Sequence, residues 1–117
     1  MKIFRKLIRD KIPEIVSVEG KKAVTRVLSD AEFIVALENK LLEEIQELRA
    51  GDASKKEEIA DIYEVLETLC RANGFSEAEI KKIKEEKRLA RGGFDKKLFL
   101  ENVECELPLL VSEGAKV

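Results

Sequence analysis

SDAEFIVALENKLLEEIQELRAGDASKKEEIADIYEVLETLCRA, residues 29–72, decides the fold. Ile34, Leu37, Leu41, Glu44 and Leu48 recur at the 3–4–3–4 spacing of an apolar helix stripe, with a carboxylate in its middle. Further on, Glu58, Asp61, Ile62, Val65 and Leu69 fall on one face of a second helix at about 100° per residue. Glu47 follows Glu44 at i+3 and Asp61 follows Glu58 at i+3, so the members of each pair lie side by side on their helix surfaces. A buried carboxylate is costly unless it is paired or binds a metal. Four of them converging point to a cation.

Working outward, Ser29 and Glu32 form a capping-box pattern that opens a helix over about 31–49, closed by Gly51-Asp52. Ser54, with Glu57 three residues on, opens the next over 55–72, and Asn73-Gly74 stops it. The loop between them is short, so the two helices are antiparallel neighbours and their acidic pairs meet near the loop end. Ser76 and Glu79 repeat the capping box ahead of a helix over 77–90, which Gly92-Gly93 breaks. On the N-terminal side, Asp10 is expected to cap a helix over 11–18, with Pro13 in its first turn and Gly20 beyond its end. AVTRVL (23–28) alternates β-branched residues and reads as a strand. Residues 95–102 read as a short strand or helix. Phe33 and Tyr63 are expected in the core, and Phe94 either in the core or stacked on a base.

These elements predict an all-α, antiparallel helical bundle, with a short accessory β-hairpin as an open addition. A single domain is expected over 1–103, followed by a C-terminal extension over 104–117 without clear periodicity. Helices of this length make a thin core in one chain, so a homo-oligomer, homodimer or homotetramer, is expected to bury the remainder.

The chain is 39% charged, well above the usual ~25%, which fits solvated, ion-paired helix faces and matches the Lys/Glu bias of thermophile proteins. Its 22 basic and 24 acidic residues nearly cancel, giving −2, and no aromatic platform accompanies the lysines of 81–91, which weighs against nucleic acid as a partner. There is no histidine, which excludes a histidine base, a Ser-His-Asp triad and imidazole metal sites. Cys70 and Cys105 lie far apart without metal-ligand spacing, and Cys70 reads as a small apolar helix residue. No apolar run approaches the ~20 residues that span a bilayer, and no apolar segment of the secretory type follows the basic Met1–Leu7, so the chain reads as cytoplasmic.

All-oxygen ligands favour hard cations, Mg²⁺, Mn²⁺ or Ca²⁺, and Mg²⁺ is commonly shared between a few carboxylates and substrate phosphates. Arg9 and Lys11 before the first helix, and Lys84, Lys87, Arg88 and Arg91 at the end of the last, are the basic groups suited to phosphate. An acidic face, a divalent cation and a basic rim together suggest phosphoanhydride hydrolysis, with a carboxylate orienting or deprotonating the water. A blander alternative stays open: Glu44 and Glu58 at a bundle edge, paired with lysines such as Lys40 or Lys55, and the basic helix end a solvated face.

The order E-E-I-Q-E (43–47), then E-I-A-D (58–61) after a short loop, resembles the E-x-x-E…E-x-x-D signature of the all-α nucleoside triphosphate pyrophosphohydrolases, the superfamily of the MazG proteins. KLIRDKIPEIV (6–16) and RGGF (91–94) look like the small phosphoribosyl-ATP-pyrophosphohydrolase-like branch. The resemblance covers about residues 5–100. It implies a MazG-like fold and a Mg²⁺-dependent enzyme that cleaves a nucleotide substrate between its α and β phosphates, releasing a monophosphate and pyrophosphate. By motif position it implies Glu44, Glu47, Glu58 and Asp61 as metal ligands and catalytic residues. It also implies Arg9, Asp10, Lys11, Lys87 and Arg91 as substrate contacts. A non-catalytic helical module that keeps the fold and binds a partner is the alternative.

Overall fold

The computed structural model describes residues 1–105. Four helices form in this span: α1 (Ile12–Val18), α2 (Asp30–Ala50), α3 (Lys55–Ala72) and α4 (Glu77–Arg91). The chain divides into two compact units, Met1–Lys84 and a second that begins at Glu85.

Local chemistry sets the helix ends. At α2 the Glu32 N–H donates to Ser29 Oγ (3.2 Å) and the Ser29 N–H to Glu32 Oε1 (3.1 Å), a reciprocal capping box. Ser76 and Glu79 repeat it before α4, at 3.2 and 3.1 Å. Ser54 occupies the N-cap of α3, but its hydroxyl makes no capping bond. Gly51 closes α2 at φ 75°, a left-handed conformation that favours glycine, and its N–H donates to the Glu47 carbonyl.

Three local expectations are corrected. The N-cap of α1 is Lys11, not Asp10, and carries no side-chain cap bond. The chain enters α1 through a turn in which the Ile12 N–H donates to the Arg9 carbonyl (3.1 Å), and this displaces Asp10 from the capping position. The accessory β-hairpin does not form: no strand occurs among the described residues. Residues 23–28 have no ladder partner, and Arg26 instead forks onto Glu32 at 3.0 and 3.5 Å. Residues 95–102 open with a turn (Lys97 N–H to Phe94 carbonyl, 3.1 Å) and form neither helix nor strand. The expected extension lies from residue 106 on outside the described residues.

The packed pair is α2 against α3, joined by residues 51–54. They run antiparallel: Asp30 and Phe33 at the start of α2 share a groove with Thr68, Arg71 and Ala72 at the end of α3, while Glu44 and Glu47 of α2 meet Glu58 of α3. The core between them is small. Leu37 and Val65 are its buried apolar residues, flanked by half-buried Ile34, Leu41, Leu48, Ile62 and Leu69. Phe33 is half-buried as well, but Tyr63 is 64% exposed, against expectation. At 100° per residue Tyr63 stands about 140° round from Glu58, on the far side of α3 from the buried stripe. The N-terminal segment lies across the hairpin at the level of its carboxylates, where Lys6 reaches Glu43 of α2 (3.3 Å) and Arg9 reaches Asp61 of α3 (2.6 Å). No helix among the described residues is long and apolar enough to cross a membrane.

Candidate metal centre

The helical phase of α2 and α3 builds the site. Glu44 lies within about 20° of the Leu37 direction on α2, so it is carried into the helix–helix seam, while Glu47 lies about 80° from it, at the seam's edge. Glu58 shares the direction of Val65 and Leu69 on α3. Accordingly Glu44 is 5% exposed, Glu58 6% exposed, and Glu47 exposed.

One carboxylate oxygen from each of Glu44, Glu47 and Glu58 lies within 4.8 Å of the others. Oxygens on opposite sides of a divalent cation bonded at 2.0–2.6 Å are about 4–5 Å apart, so this spacing admits one ion among the three. Two further features fit a hard cation. The donor set is all oxygen, and Glu44 Oε2 and Glu58 Oε2 are buried without a hydrogen-bond partner. Two ionised carboxylates cannot bond each other, because neither can donate. A proton resolves that, and the Glu58 carboxyl is pushed up to about 6. Burial is the main cause, then the hydrogen bond to Glu44 that a proton allows, then the negative charges of Glu47, Glu44 and Asp61.

Asp61 stands apart from the three. It is half-buried and near enough to raise the Glu58 carboxyl, but its Oδ1 accepts from Arg9 Nη2 at 2.6 Å. Of the expected substrate contacts, Arg9 is thus held on the acidic site, while Asp10 and Lys11 are exposed in the turn beside it. Lys87 and Arg91 are exposed and belong to the second unit.

Two groups near the cluster have roles beyond the four expected carboxylates. Lys40, only 16% exposed at its side chain, bridges Glu43 and Glu44 of its own helix at 3.4 Å each, and Glu43 also receives Lys6. The Lys40 pairs at i+3 and i+4 are legible in the sequence. The Lys6–Glu43 and Arg9–Asp61 pairs, 37 and 52 residues apart, carry no local signal. Two shallow surface grooves, of ≈ 490 and ≈ 400 Å³, lie elsewhere, one beside Arg26, Glu32 and Val35 and the other at the opposite end of the hairpin. Neither is lined by a residue of the acidic cluster.

No family model matches the chain, and no solved structure matches it. A curated relative from Mycolicibacterium smegmatis (strain ATCC 700084 / mc(2)155), described as an uncharacterized protein, is 52% identical over 46 residues. That stretch is 39% of this chain and 47% of the relative, so the chain spans about half the length of the curated protein it matches.

Proposed function

We propose that this chain is a Mg²⁺-dependent nucleotide pyrophosphohydrolase of MazG-like bundle type, which cleaves the α–β phosphoanhydride of a nucleoside triphosphate or a phosphoribosyl-ATP-like substrate. The observation that carries the reading is the convergence of Glu44, Glu47 and Glu58, two of them with buried oxygens that no protein donor satisfies. Glu44, Glu47 and Glu58 would hold the cation, with Asp61 beside them. A cation bound there supplies polarisation of a phosphoryl oxygen and acidification of a water. The chain's own part is to orient that water and take its proton through a carboxylate, since it has no histidine, and to pair Arg9 with substrate phosphate.

The same reading includes a homo-oligomer. Ile59, Tyr63 and Leu66 of α3 are exposed at i, i+4, i+7 spacing, and Val35, Leu42 and Ile45 line one side of α2. The two buried apolar side chains among the described residues, worth at most about 1.5–3 kcal/mol each, offset little of the ordering entropy of such a chain.

The Lys40–Glu44 pair favours a second reading, a non-catalytic module in which lysines neutralise the buried carboxylates. Pyrophosphate release from a panel of nucleoside triphosphates and phosphoribosyl-ATP, with Mg²⁺ and with EDTA, separates the two. The enzyme reading expects release that EDTA abolishes. A folded protein that releases none across the panel at saturating Mg²⁺ supports the module.

A further inference from the structure

The four carboxylates are not treated alike. Glu44, Glu47 and Glu58 come together with two buried oxygens unsatisfied, whereas Asp61 is already taken by a cation, the Arg9 guanidinium at 2.6 Å. Arg9 belongs to neither helix of the hairpin. It sits in the segment ahead of α1, its side chain is 60% exposed, and no other ion pair among the described residues involves it. Lys40 differs: it is carried on α2 itself and is largely covered. An exposed guanidinium on a side chain with many rotamers is weakly held, because solvent screens the pair and ordering the chain costs entropy. It is also the group best shaped to grip phosphate oxygens in pairs.

We infer that Arg9 is a place-holding counter-ion: it neutralises Asp61 while the site lacks an anionic ligand, and transfers to that ligand's phosphate oxygens, releasing Asp61 to the cation. The inference rests on the divalent-cation reading of the Glu44–Glu47–Glu58 cluster and adds the order of events. Cation binding by the bare protein is restrained because one carboxylate is engaged. A tetrahedral oxyanion lifts the restraint by drawing the guanidinium away, so anion and cation promote each other's binding, as reciprocal linkage requires. A site loaded in this order gathers its full negative charge around the metal only when there is something to cleave.

The test is Mn²⁺ binding followed by the loss of the free-ion electron paramagnetic resonance signal, which needs no turnover and no identified substrate. Arg9→Gln should tighten Mn²⁺ binding about two- to fivefold, the worth of an exposed ion pair. Arg9→Lys, which keeps the charge, should stay near wild type. Sulfate, compared with chloride at equal ionic strength, should tighten Mn²⁺ binding to wild type and leave Arg9→Gln unchanged. In an Asp61→Asn background Arg9→Gln should bring no gain, because the two substitutions remove one interaction. Wild type that binds Mn²⁺ while Arg9→Gln binds it equally or more weakly overturns the place-holding role and leaves the cation site standing. A gain that persists in Asp61→Asn overturns it too, since the effect is then general charge rather than release of Asp61. If neither wild type nor any variant binds Mn²⁺, the cation reading itself fails and takes this inference with it.

Discussion

Glu44 and Glu58 each keep one buried oxygen that accepts no hydrogen bond, and the cost of the Glu58 carboxylate to the fold depends on pH. The Glu58 carboxyl is raised from 4.5 to about 6, chiefly by burial. Between those values the folded chain holds a proton that the unfolded chain has lost, so stability of the cation-free protein falls as pH rises through that window. Below 4.5 and above about 6 this residue adds no slope. Melting curves in EDTA should show the fall in wild type and a flatter profile in Glu58→Gln, with the variant the more stable at neutral pH. Glu32 acts the opposite way. Its carboxyl is held down to about 2, first by the Arg26 hydrogen bond and then by the Ser29 backbone N–H, so its contribution is full above 4.5 and lost as pH falls toward 2. The two windows do not overlap. For catalysis, Glu44→Gln and Glu58→Gln should each lower Mg²⁺-dependent turnover by at least the roughly 10- to 100-fold that loss of a ligand's supporting partner costs, while the fold survives, read as pyrophosphate release beside circular dichroism. Undiminished turnover in either variant contradicts their role as ligands. The carboxylates were visible in the sequence because they interrupt an apolar stripe. The diversion of Asp61 onto Arg9 was not, since nothing in residues 58–61 records a partner 52 positions away.

Helix ends in this chain are set by two to four neighbouring residues, and for that reason they are legible. Ser29 with Glu32 and Ser76 with Glu79 announce starts that the structure places where the pattern puts them, and Gly51 announces a stop. Ser54 has the right residue type and position but no capping bond, which only the folded backbone reveals. The contrast is testable. Ser29→Ala should cost about 1 kcal/mol in chemical unfolding, whereas Ser54→Ala should cost much less. Gly51→Ala should cost about 1 kcal/mol through its φ of 75° alone, because an added Cβ there meets no atom within 4 Å. The expected strand at 23–28 shows the limit of local pattern. Val24 and Val27 have the propensity, but a strand needs a second edge to pair with, and Arg26 turns instead to Glu32 at the start of α2.

At the scale of the molecule, the balance of apolar surface governs. Leu37 and Val65 are buried while Ile59, Tyr63 and Leu66 form an exposed stripe on α3. The sequence told which helix faces are apolar but not which of them this chain covers by itself, because that depends on how many partners each helix finds. Tyr63→Asp and Leu66→Asp should shift the protein toward the 13.3 kDa monomer in sedimentation and lower its melting temperature, and the wild-type melting temperature should rise with protein concentration. A wild-type protein that is monomeric and equally stable at all concentrations contradicts the oligomer. Whether Glu44, Glu47 and Glu58 hold a divalent cation is read from the melting temperature of wild type and Glu58→Gln with Mg²⁺ and with EDTA. Mg²⁺ should raise the melting temperature of wild type, since an ion that binds only the folded state stabilises it, and should leave Glu58→Gln where EDTA leaves it. No Mg²⁺ effect on wild type, or an equal rise in both proteins, would contradict the cation site.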